Sequence, residues 1–242
     1  MTLVGEPGVG KSRLVWELSR HIDDLPLLVR WRQGRCLPYG NGVAFWALGE
    51  VVKADADILD SDDLQTATAK LDRALADDFR EREWMRLRLL PLIGIALDQQ
   101  VEQEESFTAW RKYVESLAAD GPAVLVFEDP HWADASLIAF LHHLAERSDG
   151  YPILLVCTAR PELYDQHPGW ADGLRNATRI DLALLSPEET VLDHRSHRLE
   201  VAAHHPAKGP GIEALAHRSR PRDVGEQHRH GLAHLSRGPR RP

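Results

Sequence analysis

Gly5-Glu6-Pro7-Gly8-Val9-Gly10-Lys11-Ser12 has the spacing G-x-x-x-x-G-K-[ST] of a phosphate-binding loop. At average residue usage this pattern arises by chance in roughly one chain in a hundred of this length. Its surroundings sharpen it. Met1-Thr2-Leu3-Val4 reads as the end of an apolar strand, and Ser12-Arg13-Leu14-Val15-Trp16-Glu17-Leu18 reads as a helix opening. Strand, glycine loop and helix in that order let backbone N–H groups close around phosphate oxygens at a positive helix end. In that reading the loop residues Gly5, Glu6, Pro7, Gly8, Val9, Gly10, Lys11 and Ser12 cradle the phosphates. Lys11 reaches the β- and γ-phosphates, and the Ser12 hydroxyl ligates Mg²⁺.

The remaining periodicities predict an α/β fold. Leu27-Leu28-Val29 suits a buried strand, and residues 43–120 read as a largely helical insertion. Within it, Phe107, Trp110, Tyr113, Val114 and Leu117 make one helical face, expected to be core rather than ligand contact. Gly121-Pro122 ends that helix. Two apolar runs follow, Ala123–Phe127 and Ile153–Cys157, separated by a helical stripe of Leu137, Ile138, Phe140, Leu141 and Leu144 that Asp134 is placed to cap. Strand, helix and strand of these lengths predict a parallel βαβ unit. Thr178–Leu182 alternates and suits a last strand.

Ser186-Pro187-Glu188-Glu189 is a helix start whose apolar periodicity fails after Leu192. The boundary is therefore drawn at 190, with 1–190 a globular core and 191–242 a basic His/Arg/Pro-rich tail expected to be disordered. The tail carries a formal charge of +5 against −13 for the first 190 residues, and eight of the thirteen histidines. Its composition suits out-of-frame translation of a GC-rich gene, and the short first strand suggests a start placed too late. A rival reading gives the His194-x-x-His197, His204-His205 and His228-x-His230 groups a transition metal and the tail's arginines a nucleic acid, although no apolar framework fixes them.

The acidic core argues against direct nucleic-acid binding by that part. The absence of a run of about 18 apolar residues argues against a membrane span. Cys36 and Cys157 form no CxxC pair, which fits a reducing cytoplasm. The second chemical feature is Phe127-Glu128-Asp129, a pair of carboxylates closing an apolar strand. Glu128 is assigned to the Mg²⁺ shell and Asp129 to the attacking water, with the reverse assignment open. Arg160 closes the next strand and stands where it can sense the γ-phosphate, or is simply a surface arginine before Pro161.

Together these elements resemble the ATPase domain of STAND/AAA-type signalling ATPases, as found in large bacterial regulators beside adenylate cyclase or LuxR-type domains. The resemblance rests on Val4–Leu14, Gly34-Arg35-Cys36-Leu37-Pro38-Tyr39-Gly40, Phe127-Glu128-Asp129-Pro130-His131-Trp132-Ala133-Asp134 and Cys157-Thr158-Ala159-Arg160-Pro161-Glu162-Leu163. It implies a P-loop NTPase three-layer sandwich with a parallel sheet. It also implies ATP and Mg²⁺ as ligands, slow hydrolysis as a signalling switch, and a phosphate-sensing role for Arg160. Pro130 departs from the usual Leu, and the family's helical lid is not recognisable after 190. No Asn-Lys-x-Asp guanine motif is present. The catalytic set is then Lys11, Glu128, Asp129 and Arg160. The partners are ATP or ADP and an effector outside this chain, with a nucleotide-holding scaffold or a truncated remnant without turnover as the alternative.

Overall fold

The computed structural model describes residues 1–38, 44–75, 79–96 and 101–184. The strand that feeds the glycine loop, β1 (Thr2–Val4), is only three residues long but fully buried. Four more strands complete a parallel sheet: β2 (Arg30–Arg35), β3 (Ala123–Glu128), β4 (Ile153–Ala159) and β5 (Arg179–Asp181), in the order β2-β3-β4-β1-β5. Register aligns their carboxyl ends. Arg35 lies opposite Glu128, Glu128 opposite Thr158, and Val4 opposite both Ala159 and Asp181. Every strand therefore delivers its following loop to one edge of the sheet.

The helices are α1 (Lys11–Asp23), α2 (Trp46–Asp55), α3 (Leu64–Ala74), α4 (Phe79–Leu89), α5 (Gln103–Leu117), α6 (Ala135–Arg147) and α7 (Glu162–Gln166). Short 3-10 turns cover Leu90–Ile93 and Pro130–Trp132. The expected βαβ unit is β3-α6-β4, its strands adjacent and parallel. Asp134 caps α6 by accepting the Leu137 N–H at 2.8 Å.

Alternate β3 residues divide the core in two, as a pleated strand with both faces covered requires. Ala123, Leu125 and Phe127 join the large cluster beneath α2, α5 and α6. Val124 and Val126 join a small one with Leu3, Val156 and Val15, the sole fully buried side chain of α1. Of the described helices, α1 alone contributes to that second layer. The stripe Phe107, Trp110, Tyr113, Val114 and Leu117 is core, as expected. The ring centroids of Phe107 and Trp110 lie 5.4 and 5.5 Å from Phe140, and the Trp110 indole donates to the Arg88 carbonyl at 2.7 Å.

One strand lies further along the chain than its apolar run predicts. Leu27 and Leu28 are exposed, and β2 begins at Arg30. Register explains the shift: Arg30 pairs with Ala123 and donates to the Pro122 carbonyl at 2.9 Å, so residues before it have no β3 partner. As an edge strand, β2 also tolerates arginines, and Arg32 turns back to Asp55 of α2 at 2.7 Å. The helix start at 186, the boundary at 190 and the histidine-rich tail lie outside the described residues.

Candidate functional site

Loop conformation explains two of the glycines. Gly8 and Gly10 have φ of 87° and 100°, and nothing lies within 4 Å of a Cβ added at either. The backbone angle, not crowding, therefore demands glycine. Gly10 is also the N-cap of α1, so no side chain caps the first N–H groups of that helix. Gly5 is constrained by space, because a Cβ there would sit 2.6 Å from Val9 Cγ2. Lys11 Nζ bridges the Gly5 and Glu6 carbonyls, the latter at 3.0 Å. Burial lowers the Lys11 pKa, Asp129 opposes that shift, and Arg160 adds to it. Ser12 is exposed in the first turn of α1.

The acids lie across β4 from this loop. Glu128 continues the parity of Val124 and Val126, which places it on the α1 face of the sheet. Asp129 follows in the left-handed region, with φ of 56°. Its N–H donates to the Thr158 carbonyl at 2.9 Å, tying the turn to the end of β4. Pro130 opens the 3-10 turn, where its missing N–H breaks no ladder. The imidazole of His131 is buried, and its Nδ1 accepts from the Arg160 backbone N–H at 3.5 Å. Burial lowers the His131 pKa, with Asp129, Arg160, Glu162 and Lys11 all close enough to act on it.

The structure thus gathers Lys11, Asp129 and Arg160, residues far apart in sequence, at the carboxyl edge of the sheet. Glu128 stands beside them at the end of β3. A cavity of about 180 Å³ lies instead at the opposite edge, among Met1, Ile153, Leu155 and Trp170. No lysine or arginine lines that cavity.

Sequence reasoning gave Gly34-Arg35-Cys36 no chemistry, and the structure gives each residue a task. A Cβ at Gly34 would fall 1.9 Å from the Ala47 carbonyl, so glycine lets α2 rest on the end of β2. Arg35 Nε and Nη2 both donate to Asp129 Oδ2, at 3.2 and 3.1 Å. The Cys36 N–H donates to the Glu128 carbonyl at 2.9 Å. Burial pushes the Cys36 thiol up to about 12, which removes it as a nucleophile at neutral pH. Glu50 of α2 accepts the Arg35 N–H at 2.7 Å. The signal in sequence was an arginine directly after a glycine at a strand end; its acidic partner lay 94 residues away.

The model of the AAA ATPase domain family matches residues 1–156, and this chain belongs to that family. A curated relative from Rhizobium meliloti (strain 1021), itself uncharacterised, is 30% identical over 203 residues, which cover 78% of this chain and 18% of the relative. The chain thus spans under a fifth of that protein's length. Among solved structures, Cdc6p of Pyrobaculum aerophilum is similar at 15% identity and a TM-score of 0.42, over 83% of this chain and 42% of that one. The Orc1 protein of Aeropyrum pernix, solved in complex with DNA, is similar at 12% identity and a TM-score of 0.44, over 81% and 43%. Likeness at that depth carries no inference about activity or partners. The fold is that of an α/β P-loop NTPase, and the family points to nucleotide binding and ATPase activity.

Proposed function

We propose that this chain binds Mg·ATP and hydrolyses it slowly, using the nucleotide state as a regulatory switch. The observation that carries the reading is the convergence of Lys11, Asp129 and Arg160 beside a glycine loop with two left-handed turns. Lys11 and the loop N–H groups hold the phosphates, Asp129 orients and deprotonates the attacking water, and Arg160 contacts the γ-phosphate. The Ser12 hydroxyl and Glu128 would hold Mg²⁺, which when bound neutralises charge on the phosphate oxygens. The donors suit that ion. Among the described residues no three His, Cys, Asp or Glu groups form a metal cluster, and Mg²⁺ typically takes one or two carboxylates with phosphate and water. No described helix is long and apolar enough to cross a membrane. We place the domain in the cytoplasm, signalling to an effector carried elsewhere.

One observation favours a second reading, a nucleotide-holding scaffold without useful turnover. The Arg35 guanidinium occupies Asp129 Oδ2 from two nitrogens. An oxygen held by two donors is screened from an attacking water. ATP binding and phosphate release, measured together, separate the two. The switch reading expects release that Asp129→Ala abolishes while binding persists, and Lys11→Ala weakens both. Tight binding with no release from any form would establish the scaffold.

A further inference from the structure

The chain that leaves β4 is held on both sides before it becomes α7. Ala159 ends the strand, and its carbonyl accepts the Gly5 N–H at 3.1 Å, so the segment starts beside the glycine loop. The Arg160 N–H donates to His131 Nδ1 at 3.5 Å, and the Arg160 carbonyl accepts the Leu163 N–H at 3.1 Å. Leu163 is fully buried, whereas Glu162, its neighbour at the first position of α7, is exposed at the carboxyl edge of the sheet. From there the Glu162 carboxylate is close enough to act on both Lys11 and His131. Of the carboxylates that act on Lys11, Asp129 is held by Arg35 through two hydrogen bonds. Glu162 has no such restraint. Among the described residues it makes no hydrogen bond or ion pair.

We propose that Glu162 is a specificity residue of the nucleotide site, an unpaired carboxylate that lowers the affinity for ATP relative to ADP. The inference rests on the Mg·ATP reading given above, in which Arg160 contacts the γ-phosphate. Mg²⁺ accompanies either nucleotide, so ATP brings one more negative charge than ADP. That charge enters beside Arg160, which attracts it, and within reach of Glu162, two residues on, which repels it. Water and salt screen an exposed carboxylate, so the repulsion is modest, roughly three- to tenfold in Kd. ADP ends one phosphate short and feels less of it. Two side chains of opposite charge on one short segment thus set the ratio of the two affinities.

Calorimetric titration of the full chain with Mg·ATP and with Mg·ADP tests it. Glu162→Gln is expected to tighten ATP roughly three- to tenfold and to leave ADP within about twofold. Glu162→Asp keeps the charge and should keep the wild-type ratio. A loss of folded protein would weaken both nucleotides together, so the ratio reads the charge alone. The gap between wild type and Glu162→Gln should close in about 1 M salt, where the screening length is about 3 Å. Glu146→Gln controls for net charge, because Glu146 lies near the far end of α6, toward the opposite edge of the sheet, and should leave the ratio unchanged. A Glu162→Gln protein with the wild-type ratio, or one whose change Glu146→Gln reproduces, overturns the role of Glu162 while leaving ATP binding intact. A wild-type chain that binds neither nucleotide overturns the Mg·ATP reading and this inference with it.

Discussion

Gly34→Ala puts the packing of the site to a direct test. The added methyl would stand 1.9 Å from the Ala47 carbonyl oxygen, whereas ordinary van der Waals contact begins near 3.4 Å. Relief requires a movement of about 1.5 Å between the end of β2 and the start of α2, and both partners are backbone. A displacement of that size along the Arg35 N–H···Glu50 bond takes it from 2.7 Å to beyond hydrogen-bond range. Overpacking costs roughly 1–3 kcal/mol, and the lost hydrogen bond adds about 1 kcal/mol. For a chain of this size the sum corresponds to a fall in Tm of roughly 4–16 °C. Thermal unfolding followed by circular dichroism measures it. Gly150→Ala is the matched control, because nothing lies within 4 Å of its added Cβ. Equal melting temperatures for the two variants would refute the claim that β2 and α2 are locked backbone to backbone.

Three further outcomes are expected. Tyr113→Phe removes the hydroxyl that donates to Asp55 Oδ2, leaving a nearly buried carboxylate with Arg32 alone, and should cost about 1–3 kcal/mol in denaturant unfolding. Arg160→Ala should weaken ATP roughly tenfold while leaving ADP within about twofold, as measured by calorimetric titration; equal losses for both would remove Arg160 from the γ-phosphate. Acid should destabilise the fold from about pH 6.5 downward. Burial lowers the pKa of His131 and His143 below the ordinary 6.5, so the unfolded chain takes up protons first and stability is lost until the folded values are reached. Asp62 and Asp63, held below 3.8, act only at lower pH. A melting temperature flat between pH 7.5 and 5.5 would contradict this, and His143→Gln should flatten the slope in part.

The elements that the sequence made legible are those whose signal is local. The glycine loop and its helix, the apolar run 123–127, the Asp134 cap and the stripe from Phe107 to Leu117 each depend on residues within a few positions. They lie where pattern and propensity put them. The start of β2 was misplaced because it depends on register with β3, about ninety residues on, and not on its own apolar run. The site divides the same way. Glu128, Asp129 and Arg160 stand out as charged residues at strand ends, and Lys11 as the lysine closing the glycine loop. The Arg35–Asp129 pair and the Glu50 acceptor depend on strands β2 and β3 being neighbours, which no local pattern contains. Gly34 could be noticed but not explained, since its reason is a carbonyl on α2.

Among the described residues the two faces of the sheet are unequally covered, and that inequality has a consequence for how a ligand would be felt. The side bearing α2, α5 and α6 holds most of the core, whereas α1 contributes one fully buried residue, Val15, and leaves Leu14 and Trp16 exposed. Free energies of local opening follow buried contacts, so α1 belongs among the segments that open without global unfolding. A ligand gripped at the first turn of that helix closes those openings by mass action. Nucleotide would then slow amide exchange in α1 far more than in α5, whose protection is already set by the core. Under the proposed function, α1 thus draws much of its rigidity from the phosphates at its first turn.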